Sequence, residues 1–225
     1  MGSAALILTL CLAAAPAEEK GTVRGEVRVT TPGPDGRPVP QEDRSGVVVY
    51  LTGYTEPPPE EVARMSQRDK TFLPAVLPIV AGQKVEFLNE DGVVHNVFSR
   101  SRAMNFDAGK SRAGERYTQS FRKTGIVDVY CDIHELMQAA VVVVPNRTFA
   151  ITDAQGRFVL RGVPPGKHPL FAVLRRGEHS DSARTEVLVV AGQEAQVALE
   201  LNETPREEGH LDKRGRKYTD RPDGY

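Results

Sequence analysis

The stretch Val127-Asp128-Val129-Tyr130-Cys131-Asp132-Ile133-His134-Glu135-Leu136-Met137 places a thiol, an imidazole and a thioether within seven residues. Val127, Val129 and Cys131 alternate with Asp128 and Tyr130. Residues 126–131 therefore read as a strand that turns its thiol to the same face as two valines. Residues 139–144 are an unbroken apolar run, the pattern of a buried closing strand. Cys131 would end the first strand, His134 would lie in the turn, and Met137 would open the second. Three donor side chains then converge at one end of a strand pair.

A second imidazole, His95, is followed by Asn96 and preceded by the turn residues Asn89-Glu90-Asp91-Gly92 and a strand over 84–88. Two imidazoles, one thiolate and a weak thioether make up the ligand set of a trigonal copper electron-transfer site. The thiolate gives a soft, covalent bond, the imidazoles complete the plane, and the thioether sits on the axis. The Asn96 amide can tie the two ligand segments together. Zinc is the alternative metal, although it prefers closed Cys/His sets to a thioether. Taken singly, each residue has an ordinary packing role: a lone Cys as a small core hydrophobe, a Met as filler.

Composition limits the function classes. The formal net charge is −1 over 225 residues, with Lys and Arg nearly balanced by Asp and Glu. That balance gives no case for nucleic acid or an anionic membrane. Residues 4–15 are small and apolar and end in Ala15-Pro16-Ala17, which reads as a signal peptide over 1–17. The expected location is periplasmic or secreted, without a membrane span. A lipoprotein anchored through Cys11 is the alternative, although Leu10 stands where such a site resembling the bacterial family would have a small residue. With the leader removed, Cys131 is the lone thiol of an exported protein, a liability that a bound metal removes.

Outward from the site, short alternating runs separated by Gly and Pro clusters indicate an all-β chain. Strands are expected over 22–30 and 47–51, and Glu56-Pro57-Pro58-Pro59 is a stiff spacer. Residues 60–66 are expected to form one or two helical turns at the surface. Residues 71–80 carry Pro74 and Pro78 and suit an edge strand. Arg100, Arg102, Lys110, Arg112 and Arg116 form a basic region, read as a solvated face or as a docking surface for an acidic partner. Pro145-Asn146 marks a boundary, and the short strands beyond it describe a β-sandwich. His168, His179 and His210 are expected to be structural or exposed, and residues 202–225 a disordered charged tail.

Phe72-Leu73-Pro74, the Ala81-Gly82 turn, Val85-Glu86-Phe87-Leu88-Asn89, His95-Asn96 and Cys131-x2-His134-x2-Met137 resemble the cupredoxins over about 66–145. The two-residue gap before Met137 is similar to amicyanin, and the whole resembles plastocyanin-like proteins of the methylamine-utilisation type. The resemblance implies a Greek-key β-sandwich and one copper ion per chain, cycling between Cu(I) and Cu(II), held by His95, Cys131, His134 and Met137. Ile133 departs from it, since amicyanin and plastocyanin have Pro there. Gly21-x-Val23-x-Gly25-x-Val27, residues 47–51, and Thr152-Asp153-x2-Gly156-x-Phe158-x-Leu160-x2-Val163-Pro164-Pro165-Gly166 resemble a transthyretin-like, carboxypeptidase-regulatory-like sandwich. The expected division is 18–56 for the first strands of that sandwich, 57–145 for an inserted cupredoxin domain, and 146–201 for the remainder.

The expected function is one-electron transport and not catalysis, because Cys131 is flanked by Tyr130 and Asp132 and no second cysteine stands nearby. Expected partners are a c-type cytochrome or a periplasmic dehydrogenase. The electron would leave through the His134 edge, framed by Ile133 and Leu136, with Asp132 and Glu135 favouring a basic partner. The alternative is a non-redox copper-binding or cell-surface interaction protein.

Overall fold

The computed structural model describes residues 19–175, 181–203 and 209–220. The expected signal peptide, Cys11 within it and His179 lie outside these residues. The described residues contain strands and a single 3-10 turn, Tyr218–Asp220, with no α-helix.

The chain opens with β1 (Gly21–Pro32), β2 (Pro38–Pro40) and β3 (Val48–Leu51). It continues through β4 (Ala63–Arg68), β5 (Thr71–Leu73), β6 (Val76–Val80), β7 (Lys84–Asn89), β8 (His95–Ser101) and β9 (Met104–Ser111). Next come β10 (Arg116–Ser120), β11 (Gly125–Tyr130) and β12 (Gln138–Val144). It closes with β13 (Phe149–Ile151), β14 (Arg157–Val163), β15 (Gly166–Leu174), β16 (Asp181–Val189) and β17 (Glu194–Asn202).

Pairing sorts these strands into two sandwiches. One has sheets β10-β7-β4-β5 and β6-β12-β11-β8-β9; the other has β14-β1-β17, with β2 on β1, and β13-β3-β15-β16. β1 runs antiparallel to β14 and parallel to β17, from Thr22↔Glu194 to Thr30↔Asn202. β3 lies between β13 and β15. The opening strands thus pair with strands beyond residue 148, and the sandwich of β4–β12 is threaded between them in sequence. Where the chain crosses over, Asn146 Nδ2 donates to the carbonyls of Leu51 and Tyr54, and the Arg147 guanidinium donates to those of Pro57 and Pro58. These bonds hold the two connecting segments side by side.

Each sandwich has its own core. Val23, Val27, Leu51, Leu160, Leu170 and Leu199 fill one, and Met65, Phe72, Phe87, Phe121, Val127 and Val141 fill the other. Each such side chain removed from water stabilises by roughly 1.5–3 kcal/mol. The two unbroken apolar runs are the ones that meet. Val141 and Val143 face inward, while Val142 and Val144 pack with Val48, Tyr50 and Phe149 from the other sandwich. Both β12 and β3 are apolar on successive residues because both of their faces are covered. An ion pair between Arg175 and Asp128, 2.6 Å, joins the sandwiches beside this contact.

Two local expectations are corrected. The helical turns expected over 60–66 are absent: β4 is a central strand, parallel to β7 and antiparallel to β5. Met65 and Gln67 alternate into the core, while Arg64 and Arg68 point out to Glu86 and Glu90. This period of two, completed by long-range pairing, outweighs the polar local composition. The single edge strand expected over 71–80 is two strands, β5 and β6, each on the edge of a different sheet. Pro74 falls in the crossover between the sheets, and Pro78 sits in the edge strand β6, where a missing N–H is tolerated.

Candidate metal centre

The β11–β12 pair ends in a narrow loop. Cys131 N–H donates to the Met137 carbonyl at 3.1 Å, and Met137 N–H donates to the His134 carbonyl at 3.1 Å. These bonds fold residues 132–136 over the strand ends. β8 lies beside β11, with Phe98 opposite Tyr130, and so carries His95 to the same end of the sheet. Asn96 performs the tie expected of it: its Oδ1 accepts Asp132 N–H, and its Nδ2 donates to Asp107 and to the Gly109 carbonyl.

Three ligand atoms converge. His95 Nδ1 lies 3.1 Å from His134 Nδ1, and Cys131 Sγ lies 4.0 Å and 3.7 Å from them. A point equidistant from atoms so spaced lies about 2.1 Å from each, an ordinary metal–nitrogen or metal–thiolate bond length. The donor set therefore fits a trigonally bound metal ion. His95, Cys131 and Met137 are buried, whereas His134 is half-buried and keeps an edge toward solvent. Met137 packs in the same core cluster as Cys131.

The surroundings set the protonation of the donors. The carboxylate of Asp91 lies 2.6 Å from His95 Nε2, so this nitrogen carries the proton and Nδ1 presents a lone pair. Asp91 also accepts the N–H groups of Asp69 and Lys70, which turn the β4–β5 hairpin with φ of 52° and 55°. Burial alone would raise the Asp91 carboxyl, but hydrogen bonds from Lys70 N–H, His95 and Asp69 N–H outweigh it and hold the group below its ordinary range. Burial, helped by His95 and Lys70 nearby, lowers His134 and keeps it neutral at pH 7. Burial pushes the Cys131 thiol up, while the N–H groups of Asn96, Ile133 and His134 draw it partly back. A metal ion at the centre would displace that proton.

Sequence reasoning missed two contributors. Asp91 was legible only as a turn residue, although it stands four positions before His95. The C-terminal segment was expected to be disordered over 202–225, yet residues 209–220 pack on the loop. Tyr218 OH donates to the Cys131 carbonyl at 2.5 Å, and Lys213 N–H donates to Asp132. The Lys213 ammonium pairs with Asp107 at 2.8 Å. The His210 ring lies 4.5 Å from that of Tyr130, so this histidine packs beside the ligand loop rather than apart from it. Asp212, buried, caps the turn by accepting from Arg214 N–H, Arg216 N–H and the Arg216 guanidinium. A charged, aliphatic-poor segment gives little local signal for order; tilted and edge-on aromatic contacts and ion pairs to a distant loop provide it here.

Residues 60–144 match the family model of copper binding proteins of the plastocyanin/azurin family. Among solved structures, a purple cupredoxin from Nitrosopumilus maritimus is 23% identical, with a TM-score of 0.34, over 36% of this chain and 99% of its own. A reduced amicyanin variant is 19% identical, with a TM-score of 0.36, over 42% of this chain and 99% of its own. A copper-containing nitrite reductase from Thermus scotoductus is 28% identical, with a TM-score of 0.36, over 41% of this chain and 24% of its own. No curated protein matches the chain.

Proposed function

We propose, from the match of residues 60–144 to the copper-binding plastocyanin/azurin family, that the chain is an exported one-electron carrier. Nδ1 of His95, Nδ1 of His134 and the Cys131 thiolate would hold one copper ion, with Met137 as the fourth ligand. The observation that carries this reading is the triangle of ligand atoms, 3.1, 3.7 and 4.0 Å on its sides. Copper supplies the one-electron couple when bound.

The chain's own residues provide the rest. Asp91 fixes the His95 tautomer and orientation. The two loop hydrogen bonds and the Tyr218 bond to Cys131 hold the donors in place, which limits rearrangement as charge changes. Burial keeps water from the thiolate, and the His134 edge offers the exit. A carrier is favoured over an enzyme because the other described histidines are engaged elsewhere. His168 bonds the Pro164 carbonyl, and the His210 ring packs at a tilt against Tyr130. A c-type cytochrome or a periplasmic dehydrogenase suits the role of partner. No described helix is long and apolar enough to cross a membrane.

We read residues 57–145 as a copper domain inserted into a transthyretin-like sandwich formed by 18–56 and 146–201, a division supported by the β1–β17 and β3–β15 pairing. Reductive titration of the copper-loaded protein tests the function. One electron per copper should bleach the visible band reversibly, and reoxidation should restore it. A band that does not respond to reductant would leave a non-redox copper-binding protein.

A further inference from the structure

The half-buried His134 ring borders a depression of about 690 Å³ on the protein surface. Its apolar part is made by Val93, Val94 and Ile133, with Val93 and Val94 each at least 40% exposed. The opposite wall is the C-terminal segment, through Lys213, Arg214 and Arg216.

The charge around this depression is uneven. Its two carboxylates are committed internally: Asp132 to Lys213 and Asp212 to Arg216. Asp107, just outside, is also paired with Lys213. Lys70, Lys110 and Arg214 are exposed, and among the described residues their side chains form no ion pair. The C-terminal segment creates much of this asymmetry. Between residues 212 and 217 it brings Lys213, Arg214, Arg216 and Lys217 against Asp212 alone, and it covers the acidic flank that Asp107 and Asp132 would otherwise present.

We propose that this depression is the docking surface of an acidic electron-transfer protein, and that residues 209–220 act as a strap that supplies its cationic rim. The inference rests on the copper-carrier reading. It replaces the expectation that Asp132 and Glu135 favour a basic partner: Asp132 shares the Lys213 ammonium with Asp107, and Glu135 does not line the depression. Apolar contact at Val93, Val94 and Ile133 brings the partner against the His134 edge, and Lys70, Lys110 and Arg214 steer and orient it. One electron leaves the reduced site and reduces the partner's ferric haem to the ferrous state, with no bond formed or broken.

The test uses the copper-loaded full chain, reduced and mixed rapidly with an acidic or a basic c-type cytochrome of matched potential. The rate with the acidic cytochrome should fall by about tenfold or more between low and physiological salt, as expected for steered association. The triple variant Lys70→Glu, Lys110→Glu, Arg214→Glu should lose about tenfold with the acidic cytochrome at low salt and gain with the basic one. Its visible band should stay that of the parent, and its rates are compared with the parent's at equal driving force, because the Lys70 charge acts on His134. Faster transfer to the basic cytochrome, a salt-independent rate with the acidic one, or an unaffected triple variant would overturn the proposal. Hexacyanoferrate(III) serves as a small-anion probe. A charge effect seen with it but not with the acidic cytochrome would assign the depression to small anions and sink protein docking. Absence of any visible band would instead sink the copper reading on which the proposal rests.

Discussion

The carboxylate of Asp91 lies 2.6 Å from His95 Nε2, while Nδ1 of the same ring lies 3.1 Å from His134 Nδ1. A carboxylate behind an imidazole ligand fixes the ring and makes its other nitrogen more basic. It also favours the more positive state of a bound ion. Asp91→Asn keeps an acceptor in place but removes the charge. The midpoint potential of the copper protein should rise, and copper affinity should fall by about 10–100-fold. An unchanged potential in a folded variant would show that the contact only positions the β4–β5 turn.

The strap gives a pH signature. Asp212 is held down to about 2: burial opposes the shift, but hydrogen bonds from Arg216 N–H, Arg214 N–H and the Arg216 guanidinium outweigh it. A carboxyl with a depressed folded value stabilises fully above its unfolded value of about 3.9 and loses that contribution as pH falls toward the folded value. The docking of the strap should therefore weaken between about pH 4 and pH 2. The chain has no Trp, so the near-ultraviolet circular dichroism of its tyrosines, Tyr130 and Tyr218 among them, reports the change. Asp212→Asn should remove this step from the titration. A step of undiminished size in that variant would place the titrating group elsewhere.

The contact between the sandwiches can be tested through Arg175 and Asp128. The Arg175 side chain is 9% exposed and that of Asp128 25%. Arg175→Met leaves a mostly buried carboxylate without its guanidinium and should cost about 1–3 kcal/mol in urea unfolding. Adding Asp128→Asn should recover part of the loss, as a double-mutant cycle would reveal. Purely additive losses would mean that the pair contributes nothing as a pair.

Tyr218 offers a simpler check on the strap. Tyr218→Phe removes one hydrogen bond to the Cys131 carbonyl and keeps the ring against His210. Stability of the copper-loaded protein should fall by about 0.5–1.5 kcal/mol. No loss would indicate that the hydroxyl finds an equivalent partner in water.

The sequence was most informative where local pattern and tertiary demand coincide. Val127, Val129 and Cys131 announce the inward-facing strand because their alternation is the burial pattern itself. The run 139–144 is apolar throughout because Val141 and Val143 serve one core and Val142 and Val144 the contact with the other sandwich. The His95, Cys131 and His134 donors meet because His95 opens β8, Cys131 follows β11, and His134 lies in the short β11–β12 loop at the same end of that sheet. Legibility failed where partners are remote in sequence. The β4 segment looks polar until β7 pairs with it, and residues 209–220 look unstructured until Asp107, Asp132 and Tyr130 are placed beside them. Asp91 looks like turn chemistry because its second role, holding the ring of His95, depends on the β8 entry geometry.

The central claim is that Cys131 binds copper as a thiolate together with His95 and His134. The most direct measurement is the visible absorption spectrum of the protein after addition of Cu(II), beside that of Cys131→Ser. An intense visible charge-transfer band at one copper per chain, lost in the variant, is the predicted result. No such band in the parent, or a band that survives in Cys131→Ser, would contradict the account.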